Sequence, residues 1–280
     1  MKIRIKMDKG INVLSLFDGM SCGRVALERV GIKVNKYFAS EIKPHAIKLT
    51  QHNYPDTIQL GDITKVSYNG NYKIDLLIGG SPCQDFSNAN RVRDGLNGKK
   101  SGLFYEYVRL LNECKPTYFL LENVKMKKEH QDIISSILGV EPININSKLV
   151  SAQMRNRLYW TNIPNVSVPD KVDIKLKDIL TSGFTTKDKA YCLLESESRP
   201  QSTNWKRFRR WRKKGFVNIV FTDSSLNLFK NRILNQTELE RLQTLPDGYT
   251  SILNRNDAAC LIGDGWTIDV IAHIFRNLKK

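Results

Sequence analysis

The chain has 280 residues, of which 41% are hydrophobic, 26% charged and 9% aromatic. That composition excludes a disordered tail, a collagen-like rod and a coiled coil, and the length suffices to bury a substantial core. Lysine and arginine total 44 against 28 acids, a formal charge of +16, which points to a polyanionic partner because every phosphate met by a cation releases condensed counterions; a merely soluble basic protein is the alternative that composition leaves open. No apolar run approaches the ~18 residues of a membrane span, and the opening MKIRIKMDKG lacks the apolar block of a signal peptide, so an intracellular, cytoplasmic location is expected. Cys22, Cys83, Cys114, Cys192 and Cys260 form no CxxC pair, which argues against a disulfide framework or a zinc site; no metal is expected.

Short apolar runs alternate with helical patterns over the first 160 residues, the signature of an α/β sheet with crossover helices. Residues 11–17 read as a buried strand ending in the turn Asp18-Gly19-Met20-Ser21-Cys22-Gly23, and Val25, Ala26, Leu27 and Val30 then form a helical stripe stopped by Gly31. A strand leading into such a loop lets backbone N–H groups approach a ligand closely. Residues 37–40 read as a second strand closing on Glu41, an acid placed to hold a ribose diol. Asp62, in Gly61-Asp62-Ile63, suits either an adenine amino group or a plain turn cap.

The next strand, residues 74–78, runs into Gly79-Gly80-Ser81-Pro82-Cys83-Gln84. This puts a cysteine on a tight loop at the carboxyl end of a strand, where doubly wound sheets bind ligands, and a thiol there reads as a nucleophile. The other four cysteines suit small buried positions. A helix is expected over residues 103–114 and a strand over 118–121, capped by Glu122-Asn123. Gln153, Arg155 and Arg157 alternate, so on one strand they share a face; either an active site with anionic partners or a solvated basic edge strand accounts for them.

From about residue 165 to 235 the periodicity fades. The decapeptide WKRFRRWRKK, residues 205–214, holds seven cations and no acid, with Trp205, Phe208 and Trp211 at intervals of three. That spacing suits one helical face anchored on protein, with base stacking as the alternative. Residues 237–242 then read as helical, 245–249 as a turn, and 266–278 as an amphipathic helix that includes Trp266, Val270, Ile271, Ile274, Phe275 and Leu278. Residues 1–164 are expected to form a catalytic and cofactor-binding domain, 165–235 a short target-recognition subdomain, and 236–280 a return segment that completes the first.

In order along the chain these residues resemble the DNA cytosine-C5 methyltransferases, and among them the short DNMT3-like catalytic domains of bacterial and phage enzymes. Phe17-Asp18-Gly19 is similar to the family's S-adenosylmethionine loop, Ser81-Pro82-Cys83-Gln84-Asp85-Phe86-Ser87 to its nucleophile loop, Glu122-Asn123-Val124 to its acid motif, Gln153-x-Arg155-x-Arg157 to its paired-arginine motif, and Gly263-Asp264-Gly265-Trp266 to the segment closing its cofactor pocket. Two positions depart from the pattern: the first loop is poorer in glycine than most bacterial forms, and Asp264 stands where Asn is usual.

The resemblance implies a Rossmann-like α/β fold, a mostly parallel sheet with helices on both faces, and double-stranded DNA as partner of a monomer or homodimer. It implies S-adenosylmethionine held by Phe17, Asp18, Gly19, Glu41, Asp62, Ile63, Pro82 and Trp266. It implies that Cys83 adds to carbon 6 of an extruded cytosine, that Glu122 holds N3 and the 4-amino group, that Arg157 binds O2, and that Arg155 orients the Cys83 loop and a backbone phosphate. Ser81, Gln84, Ser87, Asn123 and Gln153 are expected at the substrate, and Lys206, Arg207, Arg209, Arg210 and Arg212 on the DNA. A tRNA cytosine-C5 methyltransferase and a catalytically silent DNA-binding relative are the rival readings.

Overall fold

The computed structural model of the chain describes residues 10–81, 102–214, 217–227 and 229–278. Strand β1 (Ile11–Leu16) leads into helix α1 (Cys22–Arg29), followed by β2 (Val34–Ser40), α2 (Pro44–Asn53), β3 (Ile58–Gln59), β4 (Leu76–Gly79), α3 (Gly102–Cys114), β5 (Tyr118–Val124), α4 (Lys128–Leu138) and β6 (Ile143–Asn146). The chain continues through β7 (Gln153–Met154), β8 (Asn156–Thr161), α5 (Leu176–Ile179), β9 (Ala190–Tyr191), α6 (Asn204–Lys214), β10 (Val220–Phe221) and β11 (Asn231–Arg232). Helices α7 (Gln236–Leu242), α8 (Arg255–Asp264) and α9 (Ile268–Phe275) complete it.

Seven strands form the main sheet in the order β3-β2-β1-β4-β5-β8-β6. The first five are mutually parallel, and β8 runs antiparallel to both β5 and β6. Side chains alternate between the two faces as the pleat demands. Val13, Leu76, Ile78, Leu120 and Tyr159 join one cluster with α1 and α9, whereas Leu14, Leu77, Leu121, Leu158 and Trp160 join another with α3 and α4. Helices therefore cover both faces, and the strands are correspondingly apolar throughout. The strand order reverses direction at β1, between β2 and β4, which opens a crevice at the carboxyl edge of the sheet.

Two expectations change. Gln153, Arg155 and Arg157 do not share one strand: Gln153 lies in β7, paired with β9 in a separate small sheet, Arg157 lies in β8, and Arg155 is the joint between them. The last helix begins at Ile268 and not at Trp266; Trp266 sits on the connection from α8 and turns toward the sheet edge. Residues Arg255–Phe275 are apolar and long enough for a membrane span by composition, yet Gly265-Trp266-Thr267 divides them into α8 and α9, and most of the stretch is buried in the core.

Candidate active site

Every strand of the parallel set delivers a polar residue to the same edge. β1 ends in a turn where Phe17, Gly19 and Ser21 all take left-handed backbone conformations (φ 57°, 59° and 59°), a strained geometry for Phe17 and Ser21. The turn is fixed from inside. Asp18 accepts hydrogen bonds from the Ser21 hydroxyl (2.5 Å) and the Tyr37 hydroxyl (2.9 Å), and Glu41 Oε2 accepts one from the Gly19 N–H (2.8 Å). Burial pushes the Asp18 carboxyl up to about 6, against the opposing pull of the Ser15, Ser21 and Tyr37 hydroxyls. Asp18 was expected to touch a cofactor; its side chain instead is a strut beneath the loop.

Among the described residues, a Cβ at Gly19 would meet no atom within 4 Å, which leaves open space above that loop. Glu41 Oε1 accepts the N–H groups of Ile42 and Lys43, so the carboxylate is held at the end of β2 with acceptor capacity remaining on both oxygens. Next to it, Ser40 donates to the Gly61 carbonyl (2.7 Å), which brings Asp62 alongside. Asp62 caps a short 3-10 turn (Ile63–Lys65) through Oδ1, which takes both Thr64 bonds, and Ile63 is buried beneath it. A cradle with room at Gly19 and a fixed carboxylate beside it suits a ribose diol. Asp264, the residue that departs from the family pattern, is tied to Lys43 at 2.8 Å on the rim.

The chemistry-bearing edge lies between β4 and β8. β8 is antiparallel, so its first residues reach the carboxyl edge of β5, and Arg157 stands opposite Val124, two residues beyond Glu122. Residues directly opposed share a face, which carries the Arg157 guanidinium back over Glu122. Arg157 Nε lies 2.9 Å from Glu122 Oε1, and the Trp266 indole N–H donates to Glu122 Oε2 at 3.1 Å. Glu122 is 8% exposed, and a carboxylate so buried needs such partners, because removing one from a buried ion pair typically costs about 3–5 kcal/mol. Gly80 passes just beside this group: a Cβ there would fall 3.1 Å from both Glu122 Oε2 and Trp266 Nε1.

Ser81 is buried and accepts a hydrogen bond from Asn123 Nδ2 (3.2 Å), a clasp just before the segment that carries Cys83. Pro82, Cys83, Gln84 and Ser87 lie outside the described residues.

Arg155 does not point to a phosphate. It is buried, and its Nη1 donates to the carbonyls of Leu193 (3.0 Å) and Gly263 (3.1 Å), tying the segment after β9 to the end of α8. Gln153 is 0% exposed, with its amide engaged by Leu242, Gln243 and the Leu193 N–H; it is a core tie and not a DNA contact. Cys192, expected to be a small buried filler, is half-buried and accepts from Arg155 Nη1 (3.5 Å) and Arg157 Nη2 (3.9 Å). Gln243 was missed altogether. It accepts from Gln153 and Thr267 and donates to Ile262 and Gly265, one residue from Trp266. Nothing in its local sequence distinguishes it from a surface glutamine at a helix end.

The basic decapeptide is helix α6, and its aromatics divide. Phe208 is buried with Ile219 and Phe221, with Trp211 packed against them, whereas Trp205 is 51% exposed. Lys206, Arg209 and Arg212 face solvent. Arg207, expected on DNA, is turned inward, donating to Gln201, Asn204 and Asn231, and Arg210 is half-buried on the side of the buried Glu197. Among the described residues no group of three or more His, Cys, Asp or Glu side chains is placed to hold a metal ion.

Comparison with known proteins places this edge in context. Residues 11–139, a little under half the chain, match the family of C-5 cytosine-specific DNA methylases. Over 189 residues (62% of the chain and 43% of the relative) the chain is 32% identical to the orphan methyltransferase M.SPRI of Bacillus phage SPR. Over 207 residues (65% and 49%) it is 32% identical to the type II methyltransferase M.NgoBV of Neisseria gonorrhoeae. The chain thus spans about half the length of the curated relatives it matches. Its fold is similar to that of the Entamoeba histolytica methyltransferase EhMeth, with a TM-score of 0.74 over 98% of this chain and 100% of that one at 16% identity.

Proposed function

We propose that this chain, whose residues 11–139 belong to the C-5 cytosine-specific DNA methylase family, transfers a methyl group to carbon 5 of cytosine in double-stranded DNA. The observation that carries the reading is the Arg157–Glu122–Trp266 group beside Gly80, which fixes a buried carboxylate next to the entry to the Cys83 loop.

Carbon 5 of cytosine is a weak nucleophile, so electron density must first be supplied to the ring. The Cys83 sulfur adds to C6, forming a C–S bond, and the C5–C6 π pair moves toward C5 and the N3 edge. Glu122 holds the proton shared with N3 and accepts from the 4-amino group, and Arg157 donates to the O2 carbonyl; together they stabilise the charge that addition places on the ring. When bound, S-adenosylmethionine would supply the electrophilic methyl that C5 takes up, its sulfonium S–CH3 bond breaking with the electron pair left on sulfur as the thioether S-adenosylhomocysteine. The C5 proton then leaves to a base, the electron pair re-forms the double bond, and Cys83 is expelled as thiolate. Glu41, Asp62, Ile63, Phe17, Gly19, Pro82 and Trp266 are the residues proposed to line the cofactor, with the open cradle at Gly19 fitting it. Arg155 acts at one remove, by holding the Leu193 and Gly263 carbonyls.

The target atoms lie inside the duplex stack, so the base must be extruded at a cost of a few kcal/mol, which phosphate contacts along α6 help to offset. Tritium transfer from labelled S-adenosylmethionine to sonicated genomic duplex DNA tests the reading, with bulk tRNA in parallel. Incorporation into DNA, removed by Glu122→Gln with a loss of about 10²–10⁴-fold, is the expected result. Label entering tRNA and not DNA contradicts it.

A further inference from the structure

The aromatic side chains around α6 form a continuous run that begins in the protein interior and ends in solvent. Phe221 meets Trp211 edge-on at 5.9 Å, Trp211 meets Phe208 at 5.7 Å, Phe208 stacks on Trp205 at 6.2 Å, and Trp205 stacks on Phe229 at 6.2 Å with only 25° between the rings. The inner members are the anchor that the spacing of three anticipates. The outer two are not: Trp205 is 51% exposed and Phe229 62%.

A single exposed ring needs no explanation, but these two are held in place. The Phe229 N–H donates to Asn227 Oδ1 (2.9 Å), and its carbonyl accepts from the Asn204 side chain at the start of α6. Asn204 and Asn231 are in turn engaged by Arg207. The inward arginine is therefore part of a polar clip that fixes the chain carrying Phe229 against the helix carrying Trp205. On the solvent side of the same helix stand Lys206, Arg209 and Arg212, with no acid anywhere in α6. From residue 205 to 212 the helix rises about 10 Å, the span of roughly three phosphates on one strand. Rigid aromatic faces at the head of a cation stripe match the two halves of a nucleotide, base and phosphate.

We propose that Trp205 and Phe229 form a stacking platform for a base step of duplex DNA, with Lys206, Arg209 and Arg212 on the adjoining phosphates. The proposal rests on the DNA-methylation reading and adds a contact to it: an enzyme that extrudes a base must break stacking, and an aromatic wedge beside a cationic track recovers part of that loss.

The test titrates the full chain with sonicated genomic duplex DNA at several salt concentrations, following intrinsic tryptophan emission and affinity, with methyl transfer measured on the same samples. Wild-type emission is expected to be quenched by DNA. The double variant Trp205→Leu, Phe229→Leu is expected to lose that component of the quench and bind roughly 5- to 100-fold more weakly, with an unchanged salt slope and far-UV circular dichroism. Trp205→Phe, which keeps a ring, retains most of the affinity. Lys206→Gln, Arg209→Gln, Arg212→Gln flattens the salt slope by up to about 3 and leaves the quench. A wild-type chain that methylates DNA while the double variant binds with full affinity overturns this inference alone. A wild-type chain that neither binds nor methylates duplex DNA overturns the underlying reading with it, and aromatic-dependent binding to bulk tRNA but not to DNA assigns the platform to the wrong partner.

Discussion

Gly80 has little room for a side chain, and the atoms nearest it are those of the proposed catalytic group. A methyl at that position falls 3.1 Å from both Glu122 Oε2 and Trp266 Nε1, so in Gly80→Ala the carboxylate or the indole must give by a few tenths of an ångström. A full misplacement of about 1 Å at a reacting group costs on the order of 100-fold; this smaller shift is expected to lower turnover by roughly 10-fold while the fold persists, and a variant with wild-type turnover contradicts the assigned geometry. Asp18 offers a second test. Its carboxyl is raised from 3.8 to about 6 by burial, so the unfolded chain gives up this proton at lower pH than the folded one. Its stabilising contribution is complete below pH ~4 and is lost as pH rises through about 6, on the order of 3 kcal/mol in all. Asp18→Asn should remove this slope, so that the difference in unfolding free energy between wild type and variant changes between pH 4 and 7; parallel profiles contradict it. The positions of Glu41 and Glu122 were legible because an apolar strand run precedes each: Glu41 follows β2 directly, and Glu122 lies in β5, which runs on to Val124, past its expected end at residue 121. Asp18 was misplaced because the sequence places a carboxylate in a loop without telling which way it turns.

The antiparallel entry of β8 is the element on which the site depends. In an all-parallel sheet the start of a strand lies at the far edge from Glu122, and Arg157 reaches it only because β8 runs backward. Reading Gln153, Arg155 and Arg157 as one strand captured the alternation but not the break at Arg155. The pattern of period two is the same for one strand or for two strands in different sheets, and only the pairing of β7 with β9 separates them. Gln243 shows the complementary failure. From the C-terminal end of α7 it joins β7, α8 and the start of α9 through bonds that are buried except for the part-buried one to Gly265, contacts set by residues as far as 90 positions away. Gln243→Leu leaves several of these groups unpaired at about 1–3 kcal/mol each and is expected to destabilise the chain by roughly 3–5 kcal/mol in urea unfolding. A loss below 1 kcal/mol shows that the tie is dispensable.

Across the whole molecule the alternation of strands and helices was legible from residue 11 to 124, because apolar strands between amphipathic helices leave little choice of layer order. The region from 165 to 235 was not, since its strands are two residues long and its helix α6 is defined by charge as much as by apolar period. Charge is likewise uneven: seven of the 44 cations lie in one decapeptide that holds no acid, so this short stretch supplies +7 of the +16 and the rest of the chain +9. The central claim is a transient bond between Cys83 and the cytosine ring, and one measurement reaches it directly. DNA synthesised with 5-fluorocytosine in place of cytosine is incubated with the chain and S-adenosylmethionine, then run on a denaturing gel. Fluorine at C5 cannot leave as the proton does, so Cys83 stays bonded, and a protein–DNA adduct stable to denaturant is predicted for wild type and absent from Cys83→Ser. An adduct formed equally well by Cys83→Ser, or none from a wild-type chain that methylates ordinary DNA, contradicts the account.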